Sequence, residues 1–249
     1  MEQFLRDAKV VALKANSKGV THPQRATLDD GVRKHDASVS TVNEFKASFD
    51  GPRGKEANFR DYWGYNIAGY EVAKMLEINM VPPYVSRKVG GSSGSLSWWV
   101  PDVMMDEAQR HDRKIEPPDM AAWHREICVA RVFNQLICNV DDNRGNFLIT
   151  KDWKLWMIDF TRSFRKQRTV SYPKLLTQCD RKLLAKLRAL NKSDLKDKLK
   201  SYLEGSEIDA MLARRDQIVR IFESAIKEKG EADVLFDLPR SGQPCGSGL

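Results

Sequence analysis

Short apolar segments separated by turn residues dominate the first hundred positions. Val10 to Leu13 predicts a strand, Asn16-Ser17-Lys18-Gly19 a turn, and Arg25 to Leu28 a second extended piece before the hairpin signal Asp30-Gly31. Ala37 to Val42 predicts another strand. The polar, Gly-containing stretch from Asp50 to Asn58 predicts an exposed loop leading into a helix over 61–76, where Ile67, Ala68, Val72, Met75 and Leu76 recur at helical spacing. Pro82-Pro83 stops that helix ahead of the strand Tyr84 to Val89, and Gly90 to Gly94 turns the chain into a strand over Leu96 to Val100.

Beyond Pro101 the pattern becomes helical. Pro117-Pro118-Asp119 precedes a helix from Met120 to about Leu136, with Ile127, Ala130, Val132, Phe133 and Leu136 as its apolar stripe. One hairpin interrupts the helices, with Phe147 to Thr150 and Trp153 to Ile158 as its arms. Amphipathic helices follow over 180–190, 193–203 and 206–227. The expected fold class is therefore α+β with two lobes: a small mixed β-sheet lobe over 1–100, a mostly helical lobe over 101–235, and a flexible Gly, Ser and Pro-rich tail over 236–249.

Composition narrows the partners. The 249 residues are 41% hydrophobic, enough for a sizeable core, so wholesale disorder is excluded. Lys and Arg number 41 against 34 Asp and Glu, a formal charge of +7, which favours anionic ligands such as phosphates. Cys128, Cys138, Cys179 and Cys245 are scattered without metal-ligand spacing, which argues against zinc and against a disulfide framework and points to a reducing, cytoplasmic setting. No apolar run reaches the roughly 18 residues of a membrane span, and the acidic opening residues do not read as a signal peptide.

The chemistry concentrates in Asn139-Val140-Asp141-Asp142-Asn143-Arg144-Gly145-Asn146 and in Ile158-Asp159-Phe160. The hairpin should bring Asn146 near Asp159, with Asp141 in the loop ahead of it. Oxygen donors so grouped suit Mg²⁺, which is commonly shared between one or two carboxylates and substrate phosphates.

This arrangement resembles the protein-kinase-like superfamily, in which an Asp, an Asn five residues on and an Asp after the following hairpin act together. The resemblance implies ATP and Mg²⁺ as cofactors, Asp141 as the residue orienting or deprotonating an attacking hydroxyl, and Asn146 and Asp159 as metal ligands. Asn139-Val140 stands where conventional protein kinases carry His-Arg, and no Ala-Pro-Glu follows. The chain instead resembles the atypical branch of phosphatidylinositol-kinase-like and HipA-like proteins, and a group of bacterial proteins of that type, through Gly19 to Pro23, Asn66 to Tyr70, Met80 to Pro82, Ser95 to Val100 and the two acidic motifs.

By the same resemblance, Lys18 and Gly19 belong to a turn over the phosphates, and Trp99 borders the adenine pocket. Ser40 and Asn66 occupy the positions of the strand Lys and helix Glu that pair in kinases. Replacing both members of a buried ion pair avoids stranding one charge. Lys14, Lys18, Lys46 and Lys88 are candidate substitute cations. Arg162 and Arg165 read either as ligands of phosphate or of an acidic substrate or as a solvated basic loop, and Arg214-Arg215-Asp216 as structural ion pairs.

The expected activity is transfer of the γ-phosphoryl group to a hydroxyl of protein, lipid or small-molecule origin, with a nucleotide-binding pseudokinase as the alternative. A nucleic-acid-binding role ranks lower, because acids alternate with the later basic residues and no recognition motif is present. A metal-dependent phosphohydrolase built on Asp141, Asp142 and Asp159 lacks the usual His ligands.

Overall fold

The computed structural model describes residues 1–15, 24–51 and 54–238. A short helix, α1 (Glu2–Asp7), precedes β1 (Lys9–Ala15), β2 (Gln24–Asp29) and β3 (Lys34–Ser40). A separate antiparallel ribbon, β4 (Asn43–Gly51) and β5 (Gly54–Tyr62), leads to α2 (Gly64–Met75). After β6 (Tyr84–Val89) and β7 (Ser92–Trp98), the main sheet closes in the antiparallel order β1-β2-β3-β7-β6.

The helical lobe begins with β8 (Val103–Asp106) and α3 (Glu107–Asp112), whose capping box joins Asp106 and Gln109. The long α4 (Met120–Ile137) starts at Asp119, whose carboxylate accepts from the N–H groups of Ala121 and Ala122, and ends at Cys138 in the left-handed region. β9 (Phe147–Thr150) lies between β10 (Leu155–Met157) and β8. The remaining elements are β11 (Cys179–Asp180), α5 (Arg181–Ala189), α6 (Lys192–Leu199), α7 (Gly205–Lys229), α8 (Glu231–Val234) and β12 (Leu235–Phe236). Residues 239–249 of the expected tail lie outside the described residues; at its start Phe236 pairs with Asp180, next to the Leu235–Cys179 pair, and the Leu238 N–H donates to Asp180 Oδ1.

Two apolar clusters hold this frame together. The smaller packs Phe4 and Leu5 of α1 against Ala26, Leu28, Ala37, Val39, Val85 and Leu96 on one face of the main sheet. The larger runs through α2, α4, the β9–β10 hairpin, Phe160, Phe164 and the C-terminal helices. Its reach explains why α2 is buried over every position from Gly64 to Tyr70, although its sequence reads as amphipathic. The helix is clasped by both lobes. Tyr65 Oη donates to Glu207 of α7, and the Met157 N–H donates to Met80 O at 2.7 Å.

Within the expected loop over 50–58, residues 50–51 close β4 and residues 54–58 open β5, and Asp61 lies near the end of that strand rather than opening a helix. The ribbon persists because Phe49 stacks on buried Phe59 at 4.3 Å and because Glu56 meets two arginines from distant sequence. Arg162 Nη2 and Arg165 Nη2 each lie 2.6 Å from the Glu56 carboxylate. They form a largely buried ion-pair cluster rather than a solvated loop.

Arg214 also departs from expectation. It is fully buried and finds carbonyl oxygens rather than a carboxylate: Nε donates to Leu136 O at 2.9 Å, and Nη1 donates to Arg165 O at 3.0 Å and to Gln167 O. It thereby satisfies a terminal carbonyl of α4, just ahead of the loop that carries Asp141. Arg215 meets Asp216 at 2.6 Å, as expected, and also donates to the carbonyls of Leu187 and Leu190 at the end of α5.

Candidate active site

The site forms where the loop after α4 meets the segment after β10. Asp141 is half-buried, and its N–H donates to Asn139 Oδ1 at 3.1 Å while Asn143 Nδ2 reaches its Oδ1 at 3.3 Å. A short 3₁₀ turn over Arg144–Asn146 then delivers Asn146, whose Nδ2 donates to Asp141 O at 3.2 Å. The Ile158 N–H donates to Asn146 O at 3.0 Å, which ties the hairpin's far end back to its start. The three oxygen-bearing residues at 141, 146 and 159 are thus joined through one backbone and side-chain network.

Asp159 adopts φ 59°, a left-handed conformation that costs an L-residue about 1 kcal/mol. Three contacts hold it there. Thr161 Oγ1 donates to Asp159 Oδ1 at 2.9 Å, Tyr84 Oη accepts from the Asp159 N–H at 3.4 Å, and the next N–H, that of Phe160, donates to Asn66 Oδ1 at 2.7 Å. Burial pushes the Asp159 carboxyl above the usual carboxylate range, the Thr161 bonds oppose this, and the Asp141 charge adds to the rise.

Asn66 and Ser40 meet the same face of the main sheet. The register pairs Ser40 with Ser95 and Ser38 with Ser97, and Ser97 with Tyr84, so these residues share a polar face opposite the α1 cluster. Asn66 Nδ2 donates to Ser95 Oγ at 3.1 Å. At the positions expected to replace a Lys–Glu pair, a neutral Asn66–Ser95 bond lies beside Ser40, and the other end of Asn66 carries the backbone after Asp159. The approach needs Gly94, since a Cβ there would lie 2.5 Å from Ser40 O. Gly69 likewise admits Phe160, whose ring a Cβ would meet at 2.9 Å.

Trp98 and Trp99 divide between the two faces. Trp98 stacks on His35 at 3.6 Å and meets Phe4 edge-on, on the α1 side. Trp99 lies under the Arg25 guanidinium at 4.3 Å, and Arg25 Nε donates to Asp36 at 2.7 Å. Arg25 pairs with Ser38 and so shares the polar face. It is a cation beside Trp99 on the polar face that sequence spacing did not single out. The alternation of strand β2 would have found it, had its pairing partner been known.

Lys18 and Gly19 lie outside the described residues. Of the other candidate cations, Lys46 pairs with Glu44 at 2.8 Å on the ribbon, and Lys14 stands opposite Arg25 in the sheet. Met105 is buried in the larger core and Met104 is exposed. A cavity of about 400 Å³ lies elsewhere, lined by Met80, Trp123, Glu126, Trp153 and Leu183, and none of the three acidic-motif residues borders it.

Among the described residues no three His, Cys, Asp or Glu side chains form a ready metal centre. The donors nevertheless fit a hard divalent ion shared with phosphates: Asp159 offers a carboxylate, and the Asn146 amide spends its nitrogen on Asp141 O, which leaves its oxygen for a cation.

The sheet lobe, the helical lobe and the linked acidic motifs define an atypical kinase-like fold. Over 95% of its length the chain superposes on the structure of hydra Fam20 with sugar, with a TM-score of 0.68, 15% identity and 91% of that chain covered. The Golgi casein kinase with Mn/ADP bound gives 0.64 at 12% identity, covering 96% of this chain and 79% of the other. The Helicobacter pylori proinflammatory kinase CtkA gives 0.55 at 7% identity, covering 90% and 98%. No protein-family model matches the sequence, and no curated protein matches it. No described helix is long and apolar enough to cross a membrane.

Proposed function

We propose that this chain binds ATP with Mg²⁺ between the two lobes and transfers the γ-phosphoryl group to a hydroxyl acceptor. The observation that carries this reading is the network joining Asp141, Asn146 and Asp159 across the β9–β10 hairpin. In it residues 1–100 form the nucleotide lobe and 101–235 carry the reactive groups. Asp141, steadied by Asn139 and Asn143, accepts the proton as the acceptor oxygen attacks the γ-phosphorus and the bond to the bridging oxygen breaks, leaving ADP. Asn146 and Asp159 would hold the divalent ion, which supplies charge stabilisation to the phosphates. Ser40 and Trp99 lie on the polar sheet face that would receive the nucleotide, and Asn66 acts behind it by holding Phe160.

The bound Mn/ADP named for the Golgi casein kinase supports nucleotide and divalent-metal use by this fold. The motifs around Asn66, Met80 and Ser95 support placement near the phosphatidylinositol-kinase-like and HipA-like branch. Cys128, Cys138 and Cys179 are unpaired and buried, which supports a reducing, cytoplasmic setting. The neutral Asn66–Ser95 link favours a second reading, a pseudokinase that binds nucleotide without turnover.

Thermal-shift titration with ATP, with and without Mg²⁺, tests the reading. Wild type should gain Mg²⁺-dependent stability that Asp159→Ala removes and Asp141→Ala largely keeps. Absence of any shift in all three proteins refutes it. Labelled γ-phosphate reaching an acceptor with wild type but not with Asp141→Ala separates enzyme from pseudokinase.

A further inference from the structure

Asp61 is the penultimate residue of β5, interacts with Asp159 and Thr161, and is 5% exposed. Its Oδ1 is buried with no hydrogen-bond partner, although a buried carboxylate oxygen ordinarily takes at least one donor. The neighbouring backbone is fixed, because the Tyr62 N–H donates to Thr161 O at 2.9 Å. The Thr161 hydroxyl is shared. It donates to Asp159 Oδ1 at 2.9 Å and also lies in hydrogen-bond contact with the Asp61 side chain. One hydroxyl carries one proton, so it cannot donate to two ionised carboxylates at once. Arg162, a cation that acts on Asp61, has its guanidinium engaged by Glu56 at 2.6 Å.

Two adjoining buried carboxylates that share one hydroxyl, with only the Thr161 N–H at 3.4 Å added on the Asp159 side, lack positive charge. The helix position that could have supplied a carboxylate, residue 66, is an asparagine whose oxygen is spent on the Phe160 N–H. We infer that Asp61 is a second carboxylate ligand of the divalent ion, its unpartnered Oδ1 facing the cation held by Asp159 and replacing from the end of β5 the acid that α2 does not provide. This rests on the reading of Asp159 as a metal ligand. A strand-end ligand places the negative charge on the ribbon that also carries Glu56, so metal loading and the seating of the 159–165 segment share one element.

The test measures Mn²⁺ binding by electron paramagnetic resonance in the presence of ADP, on wild type, Asp61→Asn, Asp61→Glu and Asp159→Asn. Asp61→Asn should weaken Mn²⁺ affinity at least tenfold while leaving the melting temperature of the metal-free protein unchanged or raised, since it removes a carboxylate that repels Asp159. Asp61→Glu should recover part of the affinity. Wild-type affinity in Asp61→Asn, with weakened binding in Asp159→Asn, overturns this inference and leaves the reading of Asp159 standing. Absence of Mn²⁺ binding in wild type overturns both. An anomalous-scattering map of wild-type crystals grown with Mn²⁺ and ADP decides the matter if Asp61→Asn fails to fold. An ion within about 2.5 Å of an Asp61 oxygen supports the assignment, and an ion on Asp159 alone refutes it.

Discussion

Replacing Asn66 with alanine removes two interactions of unequal cost. The bond to Ser95 Oγ is an ordinary buried side-chain hydrogen bond, worth about 1 kcal/mol net. The bond from the Phe160 N–H is different, because its loss strands a buried backbone donor between two packed aromatic contacts, Phe133 at 5.6 Å and Tyr84 at 6.3 Å. An orphaned buried N–H costs roughly 1–3 kcal/mol. Asn66→Ala should therefore destabilise the protein by roughly 2–4 kcal/mol, whereas Ser95→Ala, which strands only the Asn66 Nδ2 donor, should cost roughly 1–3 kcal/mol and less than Asn66→Ala. For a chain of this size each kcal/mol moves the melting temperature about 2–4 °C. Differential scanning calorimetry on both variants and the double variant makes the comparison, and the double variant should melt with Asn66→Ala. The released Phe160 should also loosen Asp159, so the Mg²⁺·ATP stabilisation falls in Asn66→Ala but not in Ser95→Ala. If the two single variants melt together, Asn66 does not hold the Phe160 backbone and the positioning argument fails.

Arg214→Met should lower stability by at least about 2 kcal/mol in urea denaturation, because the carbonyls of Leu136, Arg165 and Gln167 lose their donor. Burial lowers the Arg214 pKa to about 10, so relief from burying that cation offsets part of the loss, and an equally stable variant would show that the carbonyl contacts contribute nothing. Glu126 gives a pH test remote from the acidic motifs. Burial raises its carboxyl above the ordinary range, against the opposing bond from the Leu155 N–H, so the folded state holds its proton more tightly than the unfolded state does. Stability from this group is therefore greatest below the unfolded pKa and declines as pH rises through the folded one. Glu126→Gln, which keeps an oxygen for Leu155, should flatten that decline in melting curves taken across the mildly acidic range. An unchanged pH profile would refute it.

Much of the site was legible because its residues are close in sequence. Asp141 and Asn146 sit five positions apart before a hairpin that local alternation already specified, and Asp159 follows the hairpin's second arm, so chain connectivity alone brings them together. The helices from α4 onward were legible for a similar reason, through Pro117-Pro118-Asp119 ahead of α4 and apolar stripes at helical period. The ribbon β4–β5 was not. Its polar residues look like loop until Glu56 is seen against Arg162 and Arg165, about a hundred positions away. Asp61 escaped notice with it, since a lone acid near a helix start carries no signal of its own.

The amino-acid order determined by itself most of the main-sheet strands, the helices from α4 onward and that residues 141, 146 and 159 would flank one hairpin, because these depend on periodicity and short-range connectivity. Only the tertiary structure decided what surrounds them. Asn66 spends its two ends on Ser95 and Phe160, Arg214 caps α4 instead of seeking a carboxylate, and Asp61 lies buried beside Asp159. Those outcomes depend on which distant donors and charges are brought into a dry interior, where an unpaired polar atom is costly and its partner is chosen by packing rather than by distance along the chain.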